Sequence, residues 1–309
     1  MPTGPPVDLR DPHALTRFLH GLPGVEPAGL DRAAALLAAR RPADRLRAID
    51  LAISMVDLTT LEGADTPGRV AALCARARRP DPGRADVPAV AAVCVYPDLA
   101  GHAAALLRGS SVRVAAVATA FPSGRSSRAV KLADTALAVD GGATEIDMVI
   151  DRGAFLAGRY ADVGAEIAAV RRACGPAHLK VILETAELGG YTGVRRAAWL
   201  ALLAGADVVK TSTGKISPAA TLPVVHVLLQ AVRDWYRLTG ERRGVKAAGG
   251  IRTTAEALAY LVAVAEIAGP EWLHPSLFRF GASSLLADLL VARREIVDGQ
   301  VPDRAAMAG

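Results

Sequence analysis

From about residue 50 onward the chain alternates short, continuously apolar runs with longer stretches in which hydrophobic positions recur every third or fourth residue. The apolar runs fall at residues 52–58, 90–96, 112–120, 145–150, 179–184, 207–211, 244–248 and 277–281. Runs of this length, rich in β-branched residues and bounded by polar or glycine turns, predict strands buried on both faces; the amphipathic stretches between them predict helices. Seven of the intervening segments are long enough to return the chain by a helix, and eight such units are the number that closes a (β/α)₈ barrel. A doubly wound open sheet is the structural alternative. Against it, no GxGxxG follows the first run and no P-loop motif occurs in the chain.

Residues 1–48 read differently, as proline and glycine turns followed by an alanine- and leucine-rich helical pattern at 31–41. They predict a helical extension ahead of a catalytic barrel at 49–295, with 296–309 as a tail. Residues 76–88, with three prolines and several charges, predict a surface loop, and no segment has the composition of an interdomain linker.

Within this pattern several charged residues sit where a strand must be buried. Lys210 ends the sixth run, and Lys246 lies in the seventh. Neighbouring strands run ~4.8 Å apart, so the two ammonium groups fall within range of mutual repulsion. Desolvation and a nearby cation both disfavour a charged lysine, and a lysine neutral near pH 7 is a nucleophile toward aldehydes. A depression of roughly 3 pK units corresponds to about 4 kcal/mol, within the reach of burial and repulsion. The alternative is that the lysines snorkel to the barrel rim.

Asp147 lies inside the fourth run, sharing a face with Glu145 and Val149. Facing the interior, it would reach the lysines and serve as a proton relay; a structural salt bridge to Lys246 is compatible with that role. Asp57, ending the first run, predicts either a hydrogen bond into this network or the N-cap of the next helix. Lys180, at the start of its strand, predicts a structural ion pair at the end of the barrel that serves stability. Glu184 predicts either a site carboxylate or a rim group bonded to a loop.

Glycine-rich turns follow the seventh and eighth runs, at Gly249-Gly250 and at Gly281-Ala282-Ser283-Ser284. Backbone N–H groups exposed by glycine, together with the positive end of a helix, favour an anion, and these loops are the usual phosphate position of the barrel. Gly214 and Lys215, after the sixth run, add a further N–H and a cation. A phosphorylated substrate is therefore expected.

Composition narrows the remaining classes. Among 309 residues, 51% are hydrophobic and 22% charged, as in a globular enzyme. The net charge of +5 comes with arginine doublets scattered along the chain and no interleaved aromatics, so no nucleic-acid partner is expected. Three cysteines without CxxC spacing predict neither a disulfide framework nor a zinc site, and fit a reducing cytoplasm. The longest uncharged run, 216–232, is broken by Pro218, Pro223, His226 and Gln230, and predicts no membrane span; no signal peptide is read at the N-terminus.

Several segments resemble the deoxyribose-phosphate aldolase family: Val209-Lys210-Thr211-Ser212-Thr213-Gly214-Lys215, Val245-Lys246-Ala247-Ala248-Gly249-Gly250-Ile251-Arg252 and Phe280-Gly281-Ala282-Ser283-Ser284. So do Asp57-Leu58-Thr59-Thr60-Leu61, Ala92-Val93-Cys94-Val95-Tyr96-Pro97, Thr119-Ala120-Phe121-Pro122-Ser123-Gly124 and Leu179-Lys180-Val181-Ile182-Leu183-Glu184-Thr185, in the right order over roughly residues 50–290. The resemblance implies a class I aldolase on a (β/α)₈ barrel, without metal or cofactor, cleaving 2-deoxy-D-ribose 5-phosphate to D-glyceraldehyde 3-phosphate and acetaldehyde in deoxyribose phosphate catabolism. It implies Lys210 as the Schiff-base lysine, Lys246 as the lysine that depresses its pKa, and Asp147 as the relay aspartate. Gly214, Lys215, Gly249, Gly250, Gly281, Ser283 and Ser284 fall on the family's phosphate-contact positions, and a homodimer is implied.

Two features depart from the family pattern. Val245 and Ala247 stand where many members have an aromatic and a proline, and the tail Ala305-Ala306-Met307-Ala308-Gly309 lacks the terminal tyrosine of some members. The rival expectations are another Schiff-base phosphosugar aldolase or transaldolase, or a phosphosugar isomerase or binding barrel without covalent chemistry.

Overall fold

A computed structural model describes residues 6–299. Eight parallel strands, β1 (Val56–Thr59), β2 (Ala92–Val95), β3 (Arg113–Ala118), β4 (Glu145–Val149), β5 (His178–Ile182), β6 (Val208–Lys210), β7 (Gly244–Ala248) and β8 (Phe278–Ala282), close into a barrel in sequence order. Pairing of β1 with β8, Asp57 opposite Gly281, completes the ring. Each strand lies within or overlaps one of the eight apolar runs, so the expected (β/α)₈ architecture is the one formed.

Differences lie at the ends of the runs. Residues 52–54 were expected to open the first strand, yet they finish a helix, Arg45–Ser54, whose N-cap Asp44 accepts from the Arg47 N–H. Ala48, Ile49, Ala52 and Ile53 have helical spacing and are buried, so the periodicity of the helix overrides the apolar run it shares with β1. The boundary drawn at residue 48 therefore falls inside this helix. At the opposite end of the barrel, β3 stops before Thr119 and Ala120, which adopt left-handed φ values of 64° and 59°, and the chain after β5 turns at Glu184 with φ 54°. Non-glycine residues rarely occupy this region, so the rim that follows the strands is the conformationally strained side of the barrel.

Two further helices precede the barrel, Pro12–Gly21, capped by Asp11, and Pro27–Ala39, capped by Glu26. Pro27–Ala39 packs on the outer helices Leu222–Thr239 and Thr254–Ile267, and Phe18 meets Trp199 edge to face. The last helix, Leu285–Asp298, runs past residue 295. The tail without tyrosine lies outside the described residues. Among those described, no helix is long and apolar enough to cross a membrane.

Aliphatic side chains fill the space between strands and helices. The barrel interior is different: Asp57, Glu145, Asp147, Lys180, Lys210, Lys246 and Arg279 all point into it, none more than 5% exposed. Beside them sits a small apolar cluster of Leu61, Cys94, Ala115 and Val117 under Tyr96 and Phe121.

Candidate active site

Strand register determines which charges meet. Lys210, the last residue of β6, lies opposite Lys246 on β7, which lies opposite Arg279 on β8. On the other side of the barrel Asp147 lies opposite Lys180. Because side chains alternate between faces, Glu145 and Asp147 both enter the interior, as expected from their spacing.

Asp147 is the hub. Its Oδ2 accepts from both Lys210 Nζ and Lys246 Nζ at 2.8 Å, and its Oδ1 accepts from Lys180 Nζ at 2.8 Å. Lys246 also reaches Asp57 Oδ2 at 2.6 Å. Lys180 binds Glu145 at 2.6 Å, and Arg279 bridges Asp57 and, at 2.8 Å, Glu145. The expected proximity of Lys210 and Lys246 is thus met through a shared carboxylate oxygen.

These seven buried groups comprise four cations and three carboxylates. A water-poor interior tolerates charge only when it is paired, so the cluster holds one proton more than its carboxylates can balance. The geometry marks which one is in surplus. Lys246 and Arg279 each contact two carboxylates and Lys180 three, whereas among the described residues Lys210 has only Asp147, shared with two other lysines.

Burial, then the repulsion of Lys246, lowers the Lys210 pKa against the attraction of Asp147. Lys180 and Lys246 are likewise desolvated, but Asp147 with Glu145 or Asp57 outweighs this and raises both above the ordinary 10.5. Desolvation opposes ionisation of Asp147 too, and the three lysines overcome it, holding the carboxyl well below its ordinary 3.8. A neutral Lys210 amine still donates an N–H to this carboxylate, so the 2.8 Å contact does not require an ammonium.

Asp57 sits within β1 and joins the network; the helix Pro67–Arg78 that follows is capped by Thr66, so the N-cap alternative for Asp57 is not realised. Lys180 makes the ion pairs expected of it, but one partner is the same Asp147 that receives Lys210 and Lys246. Glu184 is a rim group. It accepts from Thr213 N–H at 3.3 Å, pairs with Arg152 at 3.4 Å and fixes the loop after β6. Arg279 went unnoticed as a site residue, although a cation between Phe278 and Phe280, two positions before Gly281, is the signal that would have found it.

Above Lys210 opens a cavity of about 220 Å³, lined by Lys210 and by Gly214, Lys215, Gly249, Gly250, Gly281, Ser283 and Ser284, with Glu62 and Arg252 at its edge. All seven residues singled out for an anion therefore line one space. Gly249 and Gly250 both have φ of 83°, a conformation that glycine adopts without steric cost. Ser284 is the N-cap residue of Leu285–Asp298 and its side chain makes no capping bond, which leaves the first N–H groups of that helix unsatisfied by a cap. The loop after β6 contributes differently from expectation: the Gly214 N–H is donated to Ser212 Oγ and the Lys215 N–H to Thr213 Oγ1, so this loop offers the cavity mainly the Lys215 ammonium. A Cβ at Gly281 would lie 2.9 Å from Lys246 Cε and 2.8 Å from Ala248 Cβ. The missing side chain there makes room for the second lysine.

A desolvated lysine thus lies beneath an anion-sized cavity at the C-terminal ends of the strands of a closed barrel, the end at which barrel enzymes carry their active sites. The family model for DeoC/LacD family aldolases matches residues 51–290, and the chain belongs to that family. Deoxyribose-phosphate aldolase from Mus musculus is 48% identical over 250 residues, 77% of this chain and 78% of that protein; the Homo sapiens enzyme is 44% identical, over 85% and 86%. Among solved structures, one from Coccidioides immitis matches with a TM-score of 0.71 at 31% identity, covering 93% of this chain and 99% of its own. Deoxyribose phosphate aldolase from Aeropyrum pernix, whose assembly is tetrameric, matches with a TM-score of 0.61 at 26% identity, covering 85% and 97%.

Proposed function

We propose that this aldolase cleaves 2-deoxy-D-ribose 5-phosphate reversibly to D-glyceraldehyde 3-phosphate and acetaldehyde through an imine on Lys210. The observation that carries this reading is the surplus of one proton in the buried cluster, which falls on the lysine facing the cavity. Neutral Lys210 Nζ adds to the C1 aldehyde of the open-chain sugar, and loss of water gives a protonated imine. The imine withdraws electrons as the C2–C3 bond breaks and the C3 hydroxyl loses its proton, releasing glyceraldehyde phosphate and leaving an enamine. Protonation at C2 and hydrolysis then free acetaldehyde and restore the amine.

The residues divide these tasks by environment. Lys246, held charged by Asp57 and Asp147, keeps Lys210 unprotonated before attack. Asp147, hydrogen-bonded to Lys210, moves the protons through a water, taking the C3 hydroxyl proton and returning one to C2, and its negative charge steadies the imine. The glycine turns, Ser283, Ser284 and Lys215 anchor the phosphate, remote from the breaking bond, so that binding energy there orients the reacting carbons.

Borohydride reduction in the presence of deoxyribose 5-phosphate, followed by digestion and mass spectrometry, tests the assignment. A two-carbon or sugar-phosphate adduct on Lys210 is expected. Absence of any adduct in a protein that isomerises or merely binds the sugar would favour the noncovalent alternative, and turnover only with a ketose donor would favour a transaldolase. Three free, buried cysteines support placing the enzyme in the reducing cytoplasm. We infer a homodimer, for which light scattering in solution is the direct check.

A further inference from the structure

Among the described residues lining the cavity, Glu62 is the sole carboxylate. Its Oε1 lies 2.8 Å from Lys215 Nζ. Glu62 belongs to the loop after β1 and Lys215 to the loop after β6, so their ion pair crosses the mouth of the space just assigned to the substrate's phosphate. Both backbones are firmly held. The Glu62 N–H donates to Asp65 Oδ2 at 3.0 Å and the Asp65 N–H returns to the Glu62 carbonyl at 3.0 Å, while Thr60 Oγ1 fixes Asp65 Oδ1 at 2.7 Å. Opposite, the Lys215 N–H is tied to Thr213 Oγ1, itself bound to Glu184. The side chains are freer, with Glu62 58% and Lys215 34% exposed.

A half-exposed pair of this kind contributes little to stability, and a carboxylate disfavours an anion nearby. Its consequence must be sought in the cavity. We propose that Glu62 is a built-in competitor for the substrate's phosphate: it occupies Lys215 when the cavity is empty, and the phosphate must displace it to gain that lysine. Once displaced, the carboxylate remains on a fixed loop beside the bound dianion and repels it. Glu62 thereby weakens phosphate binding in both substrate and product and favours release of glyceraldehyde phosphate. This inference rests on the phosphate reading of the cavity.

Glu62→Gln keeps the side-chain shape and the loop's backbone bonds while removing the charge. The full-length protein and this variant are compared by inhibition with inorganic phosphate and by KM for phosphorylated and unphosphorylated deoxyribose. One charge removed a few ångströms from a dianion at a partly solvated site predicts a fall of roughly five- to tenfold in the phosphate inhibition constant. The KM for the phosphorylated sugar should fall by a similar factor, and by more than that for the unphosphorylated one. Lys215→Met should raise the inhibition constant. An unchanged or raised inhibition constant in Glu62→Gln would overturn the competitor role. If the unaltered protein is not inhibited by phosphate and does not prefer the phosphorylated sugar, the phosphate reading itself fails, and this inference with it.

Discussion

Replacing Lys246 with methionine leaves three cations and three carboxylates in the barrel interior, so the surplus proton disappears and Lys210 becomes a cation the cluster can balance. The size of the effect follows from geometry. Both amine nitrogens lie 2.8 Å from the same Asp147 oxygen, and hence no more than twice that distance from each other. Two charges so placed repel by about 3 kcal/mol at an effective dielectric constant of about 20, which is roughly 2 pK units. In Lys246→Met the Lys210 pKa should therefore rise by about that amount. The assay is the pH dependence of kcat/KM for deoxyribose 5-phosphate cleavage, whose acid limb reports the free amine. That limb should move roughly 2 units upward, with a loss of about a hundredfold at neutral pH that is largely recovered in alkali. Thermal melting of the variant excludes misfolding as the cause. A loss equal at every pH, with the acid limb in place, would show that Lys246 does not act through the charge on Lys210.

Other substitutions probe the rest of the cluster. Lys210→Met should abolish adduct formation on borohydride reduction while leaving the melting temperature unchanged or raised, because the variant loses a buried neutral amine and leaves three cations facing three carboxylates. Asp147→Asn strips three buried lysines of a common carboxylate and should destabilise the fold by about 3–5 kcal/mol, read from urea denaturation. Gly281→Ala places a methyl group against Lys246 Cε and should displace the acid limb of the pH profile as well as raise KM; a change in KM alone would confine Gly281 to phosphate contact. Asp57, Glu145 and Asp147 all have pKa values below their ordinary 3.8 to 4.5. Their contribution to stability is accordingly complete above about pH 4.5 and is lost as pH falls toward the depressed folded values, so melting temperature should decline steeply on acidification through that range.

Apolar runs carried the barrel topology because parallel strands are buried on both faces and leave little room for a polar interruption. The charged exceptions then pointed to the site: Lys210, Lys246 and Asp147 stood out because each breaks a run that burial should have kept apolar. What the runs could not convey was where strands end. The last turn of helix Arg45–Ser54 overlapped the start of the first apolar segment, and Thr119, Ala120 and Glu184 end their segments by turning into left-handed conformations that no local pattern announces. Lys180 was read from its place along one strand, whereas its partners, Glu145 and Asp147 on β4 and Asp57 on β1, are set by the closing of the barrel. Arg279 was missed for a related reason. Its own run carries a charge between two phenylalanines, but its meaning depends on carboxylates 222 and 134 residues away. The Glu62–Lys215 contact, between loops 153 residues apart, is likewise invisible until the barrel brings β1 and β6 to one rim.

The most direct test concerns the ionisation of one amine. NMR titration of protein carrying ¹⁵N-labelled lysine, with the Lys210 signal assigned by its loss in Lys210→Met, reads the charge on each buried lysine separately. Lys210 should titrate below 10.5 while Lys180 and Lys246 stay protonated beyond it. A Lys210 signal that remains that of an ammonium up to 10.5 or higher would contradict the charge balance on which the imine chemistry rests.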